Sequence, residues 1–205
     1  MTASRLVALL GLLVSCMADA EDRIVPCENS IHASRIRSLV ERGVEASPRF
    51  SFTYVPGSGS PERGWVIYRI ADRWVLRSVR LKMVVWGNDQ WAISRQEGSG
   101  WIEKQLKVRE MEVDDMLAET VQNAFRVGIN LRSPMPADVI ALDGPIVEFA
   151  AGWECSQLFS VAENGRAVKL LSALKALEAA PWAWTNAGKR RELVAASVGL
   201  IDFAK

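Results

Sequence analysis

The stretch from Gly64 to Arg109 constrains the fold more than any other part of the chain. It consists of short runs of apolar and aromatic residues separated by turn-forming residues. Five of the eight tryptophans lie in it: Trp65, Trp74, Trp86, Trp91 and Trp101. Consecutive strands joined by short turns are antiparallel, because parallel strands need long crossover connections. The stretch therefore predicts a tryptophan-rich antiparallel meander sheet on which the rest of the chain packs.

The last predicted strand of this sheet, from Trp101 to Arg109, alternates most regularly between apolar and polar residues. One face has the apolar side chains Ile102, Leu106 and Val108. The other face has the polar side chains Glu103, Gln105, Lys107 and Arg109. Successive side chains of a strand point to opposite faces of a sheet, so we expect the first set in the core and the second in water.

Apolar residues at three- and four-residue spacing predict helices outside the sheet. An N-terminal helix is predicted from Ser30 to about Glu45, and a middle helix from a cap at Asp114 to Gly128. Two C-terminal helices are predicted, from Ala167 to Ala179 and from Lys189 to Phe203. The inward side chains expected in the last helix are Leu193, Val194, Val198 and Ile201. The prediction is an α+β fold in which residues 21–205 form a single globular domain.

Residues 1–20 have the features of a signal peptide. Arg5 supplies the positive charge, and Leu6 to Val14 is an apolar run of nine residues, too short to span a bilayer. Ala18-Asp19-Ala20 then has the small residues that signal peptidase requires, which makes Glu21 the expected first residue of the mature chain. The segment predicts export, to the periplasm or the extracellular space.

A second processing site competes with this one. Leu13-Val14-Ser15-Cys16 resembles the lipobox of bacterial lipoproteins. The resemblance implies that Cys16 becomes the lipidated first residue and anchors the protein to the envelope. Beyond the leader, no apolar run reaches the roughly 18 residues of a membrane helix, so we expect no transmembrane segment in the mature chain.

The cysteines predict one disulfide bond. The chain has three of them, and either processing route leaves Cys27 and Cys155 as the only pair to be linked. Two thiols in an oxidising compartment usually pair with each other. The bond would join the N-terminal segment to the last third of the chain.

Most chemical classes of site have no support in the sequence. His32 is the only histidine, so a histidine metal centre or a serine triad has little to build on. The acidic residues around Asp114 lack the spacing of a calcium loop, and we expect no metal, no cofactor and no catalytic residue. The net charge is +1, and nothing in it points to nucleic acid as a partner.

The remaining candidates are tryptophans and basic residues of the predicted sheet. Trp86, Trp91 and Trp101 flank turns, where side chains often reach solvent, and Lys107 and Arg109 lie on the predicted polar face. Exposed tryptophan beside arginine can stack on sugar rings and bind anions. We therefore expect these five residues to be the binding residues, if the sheet binds a ligand.

Two functions follow from these observations. The first is an exported, non-enzymatic binding module that recognises a protein or an envelope polymer, of which an inhibitor or immunity protein would be an example. The alternative is an exported hydrolase that uses carboxylates as acid and base. The absence of a nucleophile motif and the single histidine favour the binding module.

Overall fold

Seven strands form one antiparallel sheet in the part of the chain that the structure, a computed structural model, describes. That part comprises residues 23–27, 31–45, 49–57, 60–82, 104–134, 145–160 and 165–205. The strands are β1 (Arg23–Pro26), β2 (Arg49–Val55), β3 (Arg63–Ile70), β4 (Arg73–Leu81), β5 (Leu106–Val113), β6 (Ile146–Ala151) and β7 (Glu154–Ser160). Their order in the sheet is β1-β7-β6-β2-β3-β4-β5.

Four α-helices accompany the sheet in the same residues. They are α1 (Ile31–Val40), α2 (Asp115–Asn130), α3 (Arg166–Ala179) and α4 (Asn186–Ala204). A short 3-10 helix, Ala180–Trp182, joins α3 to α4, because Pro181 cannot continue the α-helical hydrogen bonding. None of these helices is both long and apolar enough to cross a membrane.

The two faces of the sheet are covered unequally. The larger core lies between the sheet and helices α2, α3 and α4, with Phe52, Trp65, Phe125 and Phe149 fully buried at its centre. The indole N–H of Trp65 donates to the carbonyl of Leu174, 2.9 Å away, which ties β3 to α3. The smaller core lies under α1 on the other face. The prediction of an α+β fold with an antiparallel sheet is thereby confirmed.

The meander is confirmed for β2, β3, β4 and β5, but its last strand differs from the prediction. It runs from Leu106 to Val113, paired with β4 throughout, and residues 101–103 lie outside the described residues. Val108 was expected in the core and is 41% exposed. The reason is that β5 is an edge strand, whereas α1 packs on β2 and β3 and does not cover it.

Helix α2 begins as predicted and ends later. The Asp114 side chain accepts a hydrogen bond from the N–H of Leu117, 2.8 Å away, which is an N-cap. Gly128 was expected to end the helix and lies inside it. A Cβ atom there would lie 2.7 Å from the ring of Phe149, so this glycine permits close packing of α2 on β6.

Helix α4 buries a different face from the one predicted. The expected inward residues Val194, Val198 and Ile201 are 57%, 54% and 46% exposed. The fully buried residues of this helix are Ala196, Leu200 and Phe203. Leu193 is partly buried and packs against the same core, so the prediction holds for that residue and is wrong for the other three.

The disulfide prediction is confirmed. Cys27 and Cys155 are linked, with their Cα atoms 5.4 Å apart. Cys27 follows β1, and its backbone N–H donates to the carbonyl of Cys155 in β7, 3.3 Å away. Backbone pairing of the two strands and the covalent bond hold the same two positions together.

Candidate functional site

The main candidate site is an apolar groove between α2 and α4, with a volume of about 670 Å³. We call it the α2–α4 groove. Its walls are Met111, Asp114, Met116, Leu117 and Thr120 on one side and Asn186, Lys189, Arg190, Leu193, Val194, Ser197, Val198 and Ile201 on the other. A concave apolar surface of this size is typical of binding sites.

The groove exists because α4 packs through its smallest residues. A Cβ atom on Gly199 would lie 2.9 Å from the Cβ of Ala173 and 3.2 Å from the carbonyl oxygen of Lys169. This close approach to α3 buries Ala196 and turns the neighbouring stripe of branched residues outward. The outward stripe then forms one wall of the groove.

Large apolar side chains in the groove are open to solvent. Met116, on the opposite wall to the α4 stripe, is 73% exposed. Single exposed apolar residues are common on protein surfaces, but a continuous apolar patch in a concavity marks an interaction site. The α2–α4 groove has both the patch and the concave shape.

Positive charge lies at one end of the groove. Lys189 and Arg190 are in the first two turns of α4, next to the positive end of the helix dipole. In the described part of the chain, no residue forms a hydrogen bond or an ion pair with the side chain of either residue. Asp114 is the one carboxylate among the described lining residues, and it caps α2. An anionic ligand group would therefore be stabilised at this end.

Of the five residues predicted to bind a ligand, the structure describes Lys107 and Arg109, and neither lines the α2–α4 groove. Trp86, Trp91 and Trp101 are outside the described residues. Lys107 and Arg109 are both exposed in β5, on the face that also carries the helix layer. Their role in binding stays a prediction.

Arg109 has structural contacts that the sequence did not reveal. Its guanidinium lies over the ring of Trp182, 4.8 Å from the centroid, and Arg80 lies 4.6 Å from the same centroid. It also donates to the carbonyl oxygen of Trp182, 3.3 Å away. The indole N–H of Trp182 donates to the hydroxyl of Ser78 at 2.7 Å. These contacts fasten the 3-10 helix to β4 and β5.

A second cavity, of about 430 Å³, adjoins the disulfide bond. Near it, Glu148 of β6 is buried under α1, where Arg37 donates to its Oε2 at 2.5 Å. Burial raises the pKa of this carboxyl group, and the hydrogen bond and charge of Arg37 oppose the rise. Its Oε1 is buried and has no hydrogen-bond partner among the described residues.

The buried carboxylates of Glu148 and Glu178 do not form an acid–base pair. Glu148 pairs with Arg37, and Glu178 accepts from Arg80 at 2.5 Å on the opposite face of the sheet. Each carboxylate thus faces an arginine. Among the described residues, each of these two cavities has a single carboxylate in its lining, Asp114 in the α2–α4 groove and Glu154 beside the disulfide bond.

Sequence periodicity did not identify the α2–α4 groove, because the same apolar residues were assigned to the core. The signal that could have found it is the series of small residues Ala196 and Gly199, which allow close helix packing. No family model, no curated protein and no solved structure matches this chain.

Proposed function

We propose that this protein is an exported, non-enzymatic binding module whose α2–α4 groove holds an acidic amphipathic helix of a partner protein. The observation that carries the proposal is the exposed apolar stripe of Val194, Val198 and Ile201, which faces Met116 across the groove. Burying this stripe under a ligand would remove apolar surface from water, at roughly 25 cal/mol per Å².

The shape of the groove favours a helical ligand. The lining residues of α4 extend from Asn186 to Ile201, which corresponds to about 22 Å at 1.5 Å per residue. A helix of about four turns has that length. It would place apolar residues at spacings of three and four into the groove, as amphipathic helices do in other grooves. A compact small molecule would fill only part of it.

The charge of the groove favours an acidic ligand. Lys189 and Arg190 have no described ion-pair partner, and the adjacent helix end is also positive. Carboxylates on the solvent side of a bound helix would pair with these residues. Such pairs contribute to orientation and association rate more than to affinity.

Export is supported by two features of the chain. Residues 1–20 have the pattern of a signal peptide, and Cys27 and Cys155 form a disulfide bond, which persists in oxidising compartments. The mature chain would begin at Glu21, or at Cys16 as a lipid-anchored protein. Intact-mass measurement of the protein from its native envelope distinguishes the two, and a Met1 start would exclude export.

The binding proposal is tested with designed peptides. Fluorescence anisotropy compares a labelled amphipathic Leu/Glu helix, a scrambled peptide of the same composition, and a Leu/Lys helix. We expect the Leu/Glu helix to bind at least tenfold more tightly than either of the others. Equal binding of the scrambled peptide would contradict recognition of an amphipathic helix.

Two matched variants locate the site. Ile201→Asp places a charge in the groove, whereas Ile70→Asp makes the same change at a similarly exposed isoleucine (46% and 51% exposed) of β3, outside the groove lining. Only Ile201→Asp should weaken binding tenfold or more. If both variants bind like the wild type, the groove is not the site.

Charge reversal tests the acidic preference and the predicted alternative. Lys189→Glu with Arg190→Glu should weaken binding of the Leu/Glu helix and strengthen that of the Leu/Lys helix. Lys107→Glu with Arg109→Glu should leave the binding of the Leu/Glu helix and of the Leu/Lys helix unchanged. Loss of binding only in the second double variant would move the site to β5, and selective binding of an anionic polysaccharide there would support an envelope polymer as the ligand.

A further inference from the structure

A second site adjoins the disulfide bond. The sulfur atoms of Cys27 and Cys155 and a carboxylate oxygen of Glu148 all lie within 4.8 Å of one another. Glu148 is buried, and its Oε1 has no hydrogen-bond partner in the described part of the chain. A buried carboxylate oxygen without a hydrogen-bond partner is energetically costly, and the carboxylate that has it lies beside two cysteines.

We propose that reduction of the Cys27–Cys155 bond creates a binding site for Zn²⁺, with the two thiolates and the Glu148 carboxylate as ligands. The site is distinct from the α2–α4 groove and does not depend on its function. While the disulfide is intact, neither sulfur is a thiolate, and the three residues lack the ligands that zinc needs.

The geometry fits tetrahedral zinc after a small movement. Zinc binds cysteine sulfur at about 2.3 Å and carboxylate oxygen at about 2.0–2.2 Å, so two ligating sulfurs lie about 3.8 Å apart. The pairing of β1 with β7 holds Cys27 beside Cys155 independently of the covalent bond. Breaking the S–S bond therefore lets the sulfurs separate to the required distance without displacing the strands.

The surroundings also suit a bound cation. Arg37 donates to Oε2 of Glu148 at 2.5 Å, which orients the carboxylate as hydrogen bonds to metal ligands commonly do. Two thiolates, one carboxylate and the guanidinium sum to −2, which Zn²⁺ neutralises. The cavity of about 430 Å³ next to the cysteines provides an entry path and leaves the fourth position to water.

Reduction of the disulfide and binding of the metal are two successive steps. A phosphine reductant supplies two electrons to the S–S bond and becomes a phosphine oxide with oxygen from water, leaving two thiols. Zn²⁺ then binds as the two thiols release two protons. The ion would replace the covalent bond between β1 and β7, so the two strands stay joined in both redox states.

The test uses Co²⁺ as a spectroscopic probe with the phosphine-reduced mature protein. We expect one equivalent to bind, with thiolate charge-transfer absorption and the visible bands of a tetrahedral ion, and Zn²⁺ to displace it. The oxidised protein should neither bind Co²⁺ nor show these absorption bands. Absence of these bands in the reduced protein, or loss of its folded far-UV circular dichroism, would overturn the proposal.

Two carboxylate variants test the third ligand. Glu148→Gln should weaken Co²⁺ binding at least tenfold, whereas Glu154→Gln, an exposed carboxylate beside the same cavity, should leave it unchanged. Equal affinity of Glu148→Gln and the wild type for Co²⁺ would mean that Glu148 is not a ligand, which contradicts the proposed site.

X-ray absorption of the wild-type zinc complex gives a readout independent of the variants. Two sulfurs and two oxygens are expected, and any other count of sulfurs would contradict the site.

Discussion

Gly199 of α4 and Ala173 of α3 are so close that a Cβ atom on the glycine would lie 2.9 Å from the Cβ of the alanine. This contact sets the rotation of α4 about its axis. It buries Ala196 and exposes Val194 and Val198, and it thereby creates one wall of the α2–α4 groove.

The first prediction tests this contact. Gly199→Leu should lower the free energy of unfolding by about 1–3 kcal/mol or more, because the added side chain has no space between α4 and α3. Ala195→Leu adds the same side chain on the exposed face of α4 and should change stability by less than about 0.5 kcal/mol. Urea denaturation measures both, and equal stability of the two variants would show that α4 does not pack through Gly199.

The second prediction separates the two basic residues of β5. Arg109→Ala should destabilise the protein by about 1 kcal/mol, because it removes the cation–π contact with Trp182 and a hydrogen bond to its carbonyl. Lys107→Ala, an exposed neighbour on the same face, should change stability by less than about 0.5 kcal/mol. Thermal denaturation of both variants checks this. Identical melting temperatures would mean that Arg109 is not a structural tie.

The third prediction concerns the disulfide bond. Replacing Cys27 and Cys155 together by serine should cost about 2–5 kcal/mol, because the bond closes a loop with a sequence separation of 128 residues. Chemical denaturation of the oxidised wild type and the double variant measures the difference. No loss of stability would show that pairing of β1 with β7 suffices without the covalent bond.

The fourth prediction uses the pH dependence of stability. Burial lowers the pKa of Lys175, and the charge of Arg63 lowers it further. Both cations lie on the ring of Tyr54, at 5.0 and 4.9 Å from its centroid. Below its folded pKa the lysine is charged in both states, and keeping that charge in the folded protein lowers the stability. Between the folded and the unfolded pKa the unfolded chain holds more protons than the folded one, so the stability rises with pH. The penalty disappears as the pH rises to the unfolded value near 10.5.

The measurement compares wild type with Lys175→Gln at about pH 7 and pH 10. The stability of the wild type relative to the variant should increase at the higher pH. Lys169→Gln is the matched control, because it removes an exposed lysine from the same helix. A relative stability of wild type that falls as the pH rises would contradict the direction of the pKa shift.

The sequence alone determined the class of fold and several local features. Period-two runs with short turns predicted the antiparallel meander, and Asp114 was predicted as a helix cap because aspartate favours that position; the structure has both. Elimination among three cysteines predicted the pairing of Cys27 with Cys155. These features depend on residues close in sequence, or on the number of chemically suitable partners.

Only the tertiary structure decided which apolar surfaces are buried and which distant side chains meet. Periodicity shows that α4 has apolar residues, but Gly199 and Ala173 determine which stripe faces the core. The contact of Arg109 with Trp182 and the position of Glu148 beside the cysteines likewise join residues far apart in the chain. Such contacts follow from how closely whole elements approach one another, and local sequence patterns contain no information on that distance.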